Sequence, residues 1–461
     1  MNTPSSMPRP VLWCLLAVPL ALAGCGLMRT SYERPAVQSP AAWTYATARD
    51  AAAAGGVWWR NFDDPTLTRL IDLALERNND LAAAALRVRQ AQLRAGLARS
   101  DQFPTLGGNV DLSRQRDLRR DQTIVRSNSA SLSVSYELDL WDRLQALRDA
   151  AEWEAAATEQ DRASAALSLV GTTATLYWRI AFINQRLASA TQSIAYAQRT
   201  LELVQAQYDA GGASALEVAE ARQNLASQQA ARTEMAQQRV ENLNALAILF
   251  DRPPDRIMAD PPRLPPTTLP AVPAGVPADL LARRPDLRAA ELRLREALAQ
   301  TDATRASFYP PLTLTGALGG TSTALGNLLQ NPVATLGAGL TLPFLNWNQM
   351  RLNIRISETE YALRVVQFRQ ALYQAMADVE NALSARTQLA ARAELLEQSL
   401  AAARQAEDLY EVRYRSGAVS LRFWLDAQEK RRAAEIELDQ NTLDRLVNQA
   451  TLYQALGGDT R

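Results

Sequence analysis

Two places in this sequence concentrate side chains that could do chemistry. The first is Cys25, which closes the run Leu22-Ala23-Gly24-Cys25 behind an apolar stretch at residues 11–21 and the basic residue Arg9. This is the layout of a lipoprotein signal, in which the cysteine thiol is acylated and the residue becomes the new N-terminus. The alternative is an ordinary signal peptide with a coincidental cysteine. Cys14 is the only other cysteine, so nothing beyond Cys25 could pair with it. The apolar stretch is too short for a comfortable membrane span. An acyl chain on Cys25 would anchor the protein by ~0.8 kcal/mol per buried methylene. Gly26 follows the cysteine, where an Asp would resemble an inner-membrane retention signal, so the expectation is the outer membrane. The second place is YRSGAVSLRFWLDAQ, residues 414–428. It interrupts a proline-free, helical run at 344–461 and crowds two aromatics, an arginine and a carboxylate beside the break.

Other chemistry is excluded by composition. There is no histidine, which removes His-based triads, His general bases and His metal ligands. No metal site and no cofactor other than the covalent lipid is expected. No GxxxxGK phosphate loop occurs, and no carboxylate or Ser-Lys catalytic motif stands out. The chain is therefore not expected to be an enzyme. Lys and Arg together number 49, Asp and Glu 49, and Lys430 is the only lysine. Zero net charge argues against nucleic acid as a partner.

The elements that must position these residues come in two copies. Asp80-Leu81 matches Asp286-Leu287, Phe103-Pro104 matches Tyr309-Pro310, Trp141 matches Trp347, and Tyr208 and Gly211 match Tyr414 and Gly417. Each pair is offset by 206 positions, as between residues 80 and 286. A constant offset over most of the chain marks a duplication. The expected division is a signal peptide at 1–24, an extended tail at 25–65, a first repeat at 66–252, a Pro-rich connector at 253–285, a second repeat at 286–458 and a short tail at 459–461. Ten prolines keep the connector from being helical.

Each repeat reads as helix, two strands, a very long helix, a Tyr-x-x-Gly break and a returning helix. Expected helices are 66–100, 142–209 and 215–250, then 285–306, most of 344–415 and 421–456. The 3-4 spacing of Leu167, Val170, Ala174, Tyr177 and Ala181, and of Leu372, Met376, Val379 and Leu383, marks a coiled-coil seam. The short helices of the first repeat together match its long one, as stacked pieces beside a continuous partner would. Strand character appears around 106–112, 131–140, 312–318 and 336–342, with polar loops at 114–128 and 320–331. Leu and Val alternate there with Ser, Thr, Asn and Gly, a period of two. Such strands suit a half-buried soluble sheet or a membrane-spanning barrel. Four strands cannot close a barrel, so a membrane role requires several chains to share one.

Taken in order, Trp58-Trp59, Phe62, Asp64-Pro65, Leu67, Leu70-Ile71, Asn79-Asp80-Leu81, the paired Tyr-x-x-Gly breaks, Leu425-Asp426-Ala427-Gln428 and Ala455-Leu456-Gly457-Gly458 resemble a known family. It is the outer membrane factor family of tripartite efflux systems, the TolC/OprM-like channels. Within it the likeness is to the NodT-like lipoprotein branch serving resistance-nodulation-division (RND) pumps. The resemblance implies a mainly α protein with membrane β: a homotrimer with a shared 12-stranded barrel, four strands per chain, continued by a periplasmic α-helical barrel. It implies a passive outer-membrane exit duct for drugs or other small toxic compounds, with a periplasmic adaptor and an inner-membrane RND pump as partners. It also implies that the breaks at Gly211 and Gly417 are hairpin tips that close the periplasmic mouth. By position, Asp426 falls on an acidic constriction, Tyr414 on a hydrogen-bonding gate tyrosine and Glu217 on an acidic gate partner. Arg422 stands where relatives vary, and Val419 replaces an arginine of one branch. A channel for type I protein secretion and a structural periplasmic coiled-coil lipoprotein are the competing classes.

Overall fold

The computed structural model describes residues 29–46, 57–116, 124–254, 259–265, 269–270, 272, 274–330 and 332–458. The expected signal peptide at 1–24 and Cys25 lie outside the described residues. The helices are α1 (Pro65–Arg77), α2 (Asn79–Ser100), α3 (Arg143–Asp209), α4 (Ala215–Ile248), α5 (Leu280–Arg283), α6 (Pro285–Ala306), α7 (Trp347–Arg415) and α8 (Leu421–Ala455). The strands are β1 (Thr105–Arg116), β2 (Ile124–Leu138), β3 (Leu312–Ser322) and β4 (Val333–Leu340). They form two compact units. One comprises Met1–Val37, Leu86–Glu159 and Ala289–Gln370; the other comprises Gln38–Ala85, Gln160–Arg288 and Ala371–Arg461.

The first unit carries the sheet. Its four strands are antiparallel in the order β1-β2-β3-β4, so consecutive strands pair throughout and the repeats join at β2 and β3. Register puts Leu106 opposite Val134, Leu132 opposite Leu318, Leu314 opposite Ala338 and Leu312 opposite Leu340. One face is therefore leucine and valine; the other is Ser, Thr, Asn and Gly. The apolar face is not packed within the chain: Leu106 is 86% exposed and Leu336 91%. The strands run further into the expected polar loops than the alternation indicated, because Arg116 pairs with Ile124 and Gln115 with Val125. Backbone pairing continues there after the apolar pattern has ended.

The N-terminal tail is fastened to this unit by carboxylates. Asp302 accepts from the Thr30 backbone (2.9 Å) and hydroxyl (2.7 Å), and Glu291 takes three bonds from Arg34 (3.3, 3.0 and 2.8 Å). Arg29 pairs with Asp149 at 2.6 Å. The Arg295 guanidinium lies over both the Tyr32 ring (4.6 Å) and the Trp153 ring (5.2 Å). Glu291 and Asp302 are only 8% and 7% exposed, so the tail supplies partners that buried charges require.

The second unit is helical. Leu67, Leu70, Ile71 and Ala74 of α1 face its core, and Asp64 caps α1 by accepting from Thr66 and Leu67 (2.9 and 3.0 Å). Asp64 also accepts from Tyr177 (2.8 Å), while Trp58 stacks on Tyr453 and Phe62 packs at a tilt against Trp178. The Trp58-Trp59 motif is thus core packing, in a 3-10 turn over Trp58–Phe62 that the extended-tail expectation missed. The seam residues Val170, Ala174, Ala181, Val379 and Leu383 are buried as their spacing requires. α3 holds a stretch apolar enough to cross a membrane, but most of it is buried inside the fold.

Two expectations are corrected. The helix at 66–100 is two helices, broken at Asn78. That residue is extended (ψ 127°), its side chain accepts from Leu81 to start α2, and it donates to the Leu249 carbonyl. The connector at 253–285 is not wholly extended: Pro277–Asp279 forms a 3-10 turn and Leu280–Arg283 a helical turn, with proline at the tolerated first position. The length relation survives the break, at 13, 22 and 34 residues for α1, α2 and α4 against 67 for α3.

Both long helices end alike. Gly211 (φ 79°) and Gly417 (φ 75°) adopt the left-handed conformation. Gly212 donates to Gln207 (2.7 Å) and Ala418 to Arg413 (2.9 Å), the six-to-one bond of a Schellman cap. A β-branched residue at either glycine costs about 1–2 kcal/mol. Gly211→Val and Gly417→Val should each lower the thermal midpoint of the detergent-solubilised protein. Gly212→Ala, whose methyl meets only the Gln207 carbonyl at 3.5 Å, should leave it nearly unchanged.

Candidate functional site

The candidate site is built at these two turns, wholly within the second unit. In the first copy α4 starts with a capping box. The Glu217 carboxylate accepts from the Ser214 backbone (2.8 Å) and hydroxyl (3.1 Å), and Ser214 Oγ accepts from the Glu217 backbone (3.3 Å). In the second copy Ser420 holds the same place without a side-chain bond. The residue three positions on is Phe423, which cannot reach back. It is instead 51% exposed and stacks on Tyr410 with ring centres 6.2 Å apart.

Behind the turns, Val204 of α3 and Val218 and Ala221 of α4 pack against Tyr414 of α7 and Leu421 and Trp424 of α8. Trp424 is 2% exposed, stacked on Tyr414 (5.3 Å) and met edge-on by Tyr196 (6.0 Å). Two tyrosines fasten α3 to α7 in opposite senses. Tyr414 of α7 donates to Gln207 Oε1 of α3 (2.8 Å), and Tyr196 of α3 donates to Glu411 Oε2 of α7 (3.1 Å). Burial, then the Glu217 charge, raises the Tyr414 pKa above its ordinary value. Burial, then Glu411, does the same to Tyr196. Both phenols thus stay protonated donors. Glu411 is held in turn by Arg415 (2.5 Å), and Arg431 pairs with Glu407 and with Glu435 (2.9 Å).

This junction also contains unmet demand. Trp424 Nε1 and Gln428 Nε2 are buried without an acceptor. Each such donor costs about 1–3 kcal/mol. The packed arrangement is therefore held less tightly than its aromatic contacts alone would hold it.

The sequence-derived residues fall in two groups. Tyr414 and Glu217 lie close enough for the carboxylate to act on the phenol, although the Glu217 side chain is engaged in its capping box. Arg422 and Asp426 are exposed, one helical turn apart on α8, and make no ion pair. Lys430, a further turn along, is likewise exposed and unpaired. Sequence reasoning missed Tyr196, Gln207, Glu411 and Tyr410. The repeat could not signal the first three, because their counterparts are Ala402, Arg413 and Gln205. Among the described residues no cluster of His, Cys, Asp or Glu could hold a metal. What the arrangement offers is a latch between helices.

Known proteins are similar to this chain over most of its length. A model of the outer membrane efflux protein family matches residues 70–250 and 276–458. The pyoverdine export outer membrane protein OpmQ of Pseudomonas putida is 34% identical over 464 residues, covering 98% of each chain. The solvent efflux pump outer membrane protein SrpC of Pseudomonas putida is 32% identical, covering 95% of this chain and 96% of its own. The open-state structure of the Neisseria gonorrhoeae MtrE outer membrane channel superposes with a TM-score of 0.76 at 31% identity, over 93% of this chain and 98% of MtrE.

Tyr414→Phe keeps the stack on Trp424 and removes the bond to Gln207. Loss of one such bond is worth about 1 kcal/mol. Tyr414→Phe and Gln207→Leu should each lower thermal stability by that order. The double variant should lose little more than either single one, the coupling expected of direct partners.

Proposed function

The chain belongs to the outer membrane efflux protein family, and from that premise we propose how it works as the outer-membrane channel of a tripartite efflux system. The observation that carries the reading is the four-stranded sheet with an outward apolar face and two unpaired edges, β1 and β4. In hydrocarbon an open edge leaves backbone donors and acceptors unmet, so β4 of one copy must pair with β1 of the next. Three copies give twelve strands, a size within the range of closed membrane barrels. Within the same unit α2 exposes Leu86, Leu93 and Leu97, and α7 exposes Leu352, Ile356, Leu363 and Val366. α2 leads into β1 and α7 follows β4, so edge pairing brings these two stripes together across each seam.

The trimer is a passive exit duct. Small toxic compounds reach it from an inner-membrane RND pump through a periplasmic adaptor, and an acyl group on Cys25 anchors each chain to the outer membrane. Family proteins named for pyoverdine export and solvent efflux support cargo of low molecular mass. Opening separates α7 and α8 from α3 and α4, and the two tyrosine bonds and the edge contact of Tyr196 on Trp424 are what it must break. Adaptor contact biases that equilibrium only by binding the opened arrangement better. Three copies of Asp426 near the axis would attract cations, and Arg422 beside it would weaken that field.

Native mass in detergent should be three times that of the mature chain. In planar bilayers Asp426→Ala should reduce cation selectivity, and Arg422→Ala should increase it. Unchanged conductance and selectivity in both variants would remove these residues from the constriction.

A further inference from the structure

The face of α8 turned toward α7 carries a groove that neither packing nor the latch accounts for. Its floor is Ala403, Ala406, Ala427, Ala433 and Ala434, and its volume is about 600 Å³. Tyr410 and Phe423 wall one end as a near-parallel aromatic pair, 9° apart in plane. Asp426, Lys430 and Glu437 line the rest. Along α8 the groove thus presents an aromatic face, an anion, a cation and a second anion. At 1.5 Å per residue, Phe423 to Glu437 spans about 21 Å.

The charges are available. An acid four residues before a lysine on a helix is the spacing that ordinarily pairs. Yet Asp426 and Lys430 make no ion pair or hydrogen bond with each other or with any described residue, and both are exposed. Lys430 is also the single lysine of a chain whose other basic residues are all arginine. A compact ammonium on a flexible stem offers a point charge where a guanidinium would stack. Beside the alanine floor, Ser399 is the one further described side chain lining the space.

We propose that this α7–α8 groove is a binding subsite for aromatic solutes that carry an ammonium and a carboxylate side by side. The ring lies on the Tyr410–Phe423 pair, the ammonium is held by Asp426 and the carboxylate by Lys430. Each charge of the solute thus meets its opposite on α8, beyond the aromatic pair. Glu437 bars a second anionic substituent further along. The assignment deepens the exit-duct reading by naming a cargo class and rests on it for its biological meaning, though binding itself does not depend on conduction.

The single lysine supplies the test. Lys430 is converted in the full detergent-solubilised protein to ¹³C-dimethyl-lysine, which keeps its charge, and its NMR signal is followed with three probes. Tryptophan carries both charges, tryptamine only the cation and indole-3-propionate only the anion. Tryptophan should shift the signal saturably, at a half-saturating concentration several-fold below those of the other two. Asp426→Asn should remove the advantage of tryptophan over indole-3-propionate, and Phe423→Leu should weaken all three. A signal indifferent to every probe, or equally sensitive to all, leaves the groove to a protein helix or to solvent and overturns the proposal. Planar-bilayer recording of the same preparation separates the premises. Pores without a Lys430 shift sink the subsite alone; a selective shift without pores sinks the duct reading and leaves the subsite standing.

Discussion

An unpaired strand edge is the condition on which the rest of this protein depends. Four strands close nothing, and their apolar face has no partner among the described residues. Ser, Thr, Asn and Gly on the opposite face would form no dry core either. A soluble sheet of this pattern would bury its leucines under a helix; here Leu106 and Leu336 are almost fully exposed. In hydrocarbon such a sheet is complete only in company, as the proposed trimer supplies. The exposed leucines of α2 and α7, on the helices next to the two open edges, carry the same demand beyond the strands.

The junction at the helix turns follows a different logic. Hydrophobic burial alone would make it permanent. The contacts are instead aromatic stacks of modest strength, two single tyrosine bonds and two buried donors with no acceptor. Duplication gave both turns the same glycine cap, and divergence then set them to different tasks. Where the first copy has Glu217 tying down its helix start, the second has Phe423, which leaves the start uncapped and the ring exposed. One turn is thus locally reinforced, and the other has traded reinforcement for surface.

Much of this was legible in the sequence, and the exceptions have physical causes. Period two and period three-to-four patterns located the strands and the seam residues, because burial dictates them. The offset of 206 residues found both turns, because a left-handed glycine cap has a fixed sequence cost. The break at Asn78 was missed because a polar residue inside an amphipathic pattern gives no sign that its side chain will cap the next helix. The helical turn inside the connector was hidden by proline, which is tolerated at a first helical position. At the latch, Tyr414 was visible through its repeat, whereas Tyr196, Gln207 and Glu411 are partners only across a tertiary contact. No local pattern encodes such pairings.

The docked N-terminal tail has a consequence in time. Arg34 and Glu291 are separated by 257 positions, and Thr30 and Asp302 by 272. A chain emerging N-terminus first at about 5–20 residues per second makes the tail wait on the order of tens of seconds before its receptor exists. Through that interval Thr30 and Arg34 have no receptor to dock on. Closure then comes only when the second repeat has folded. The order of synthesis thus makes docking of the tail one of the last steps in assembling this unit, without any dedicated timing element.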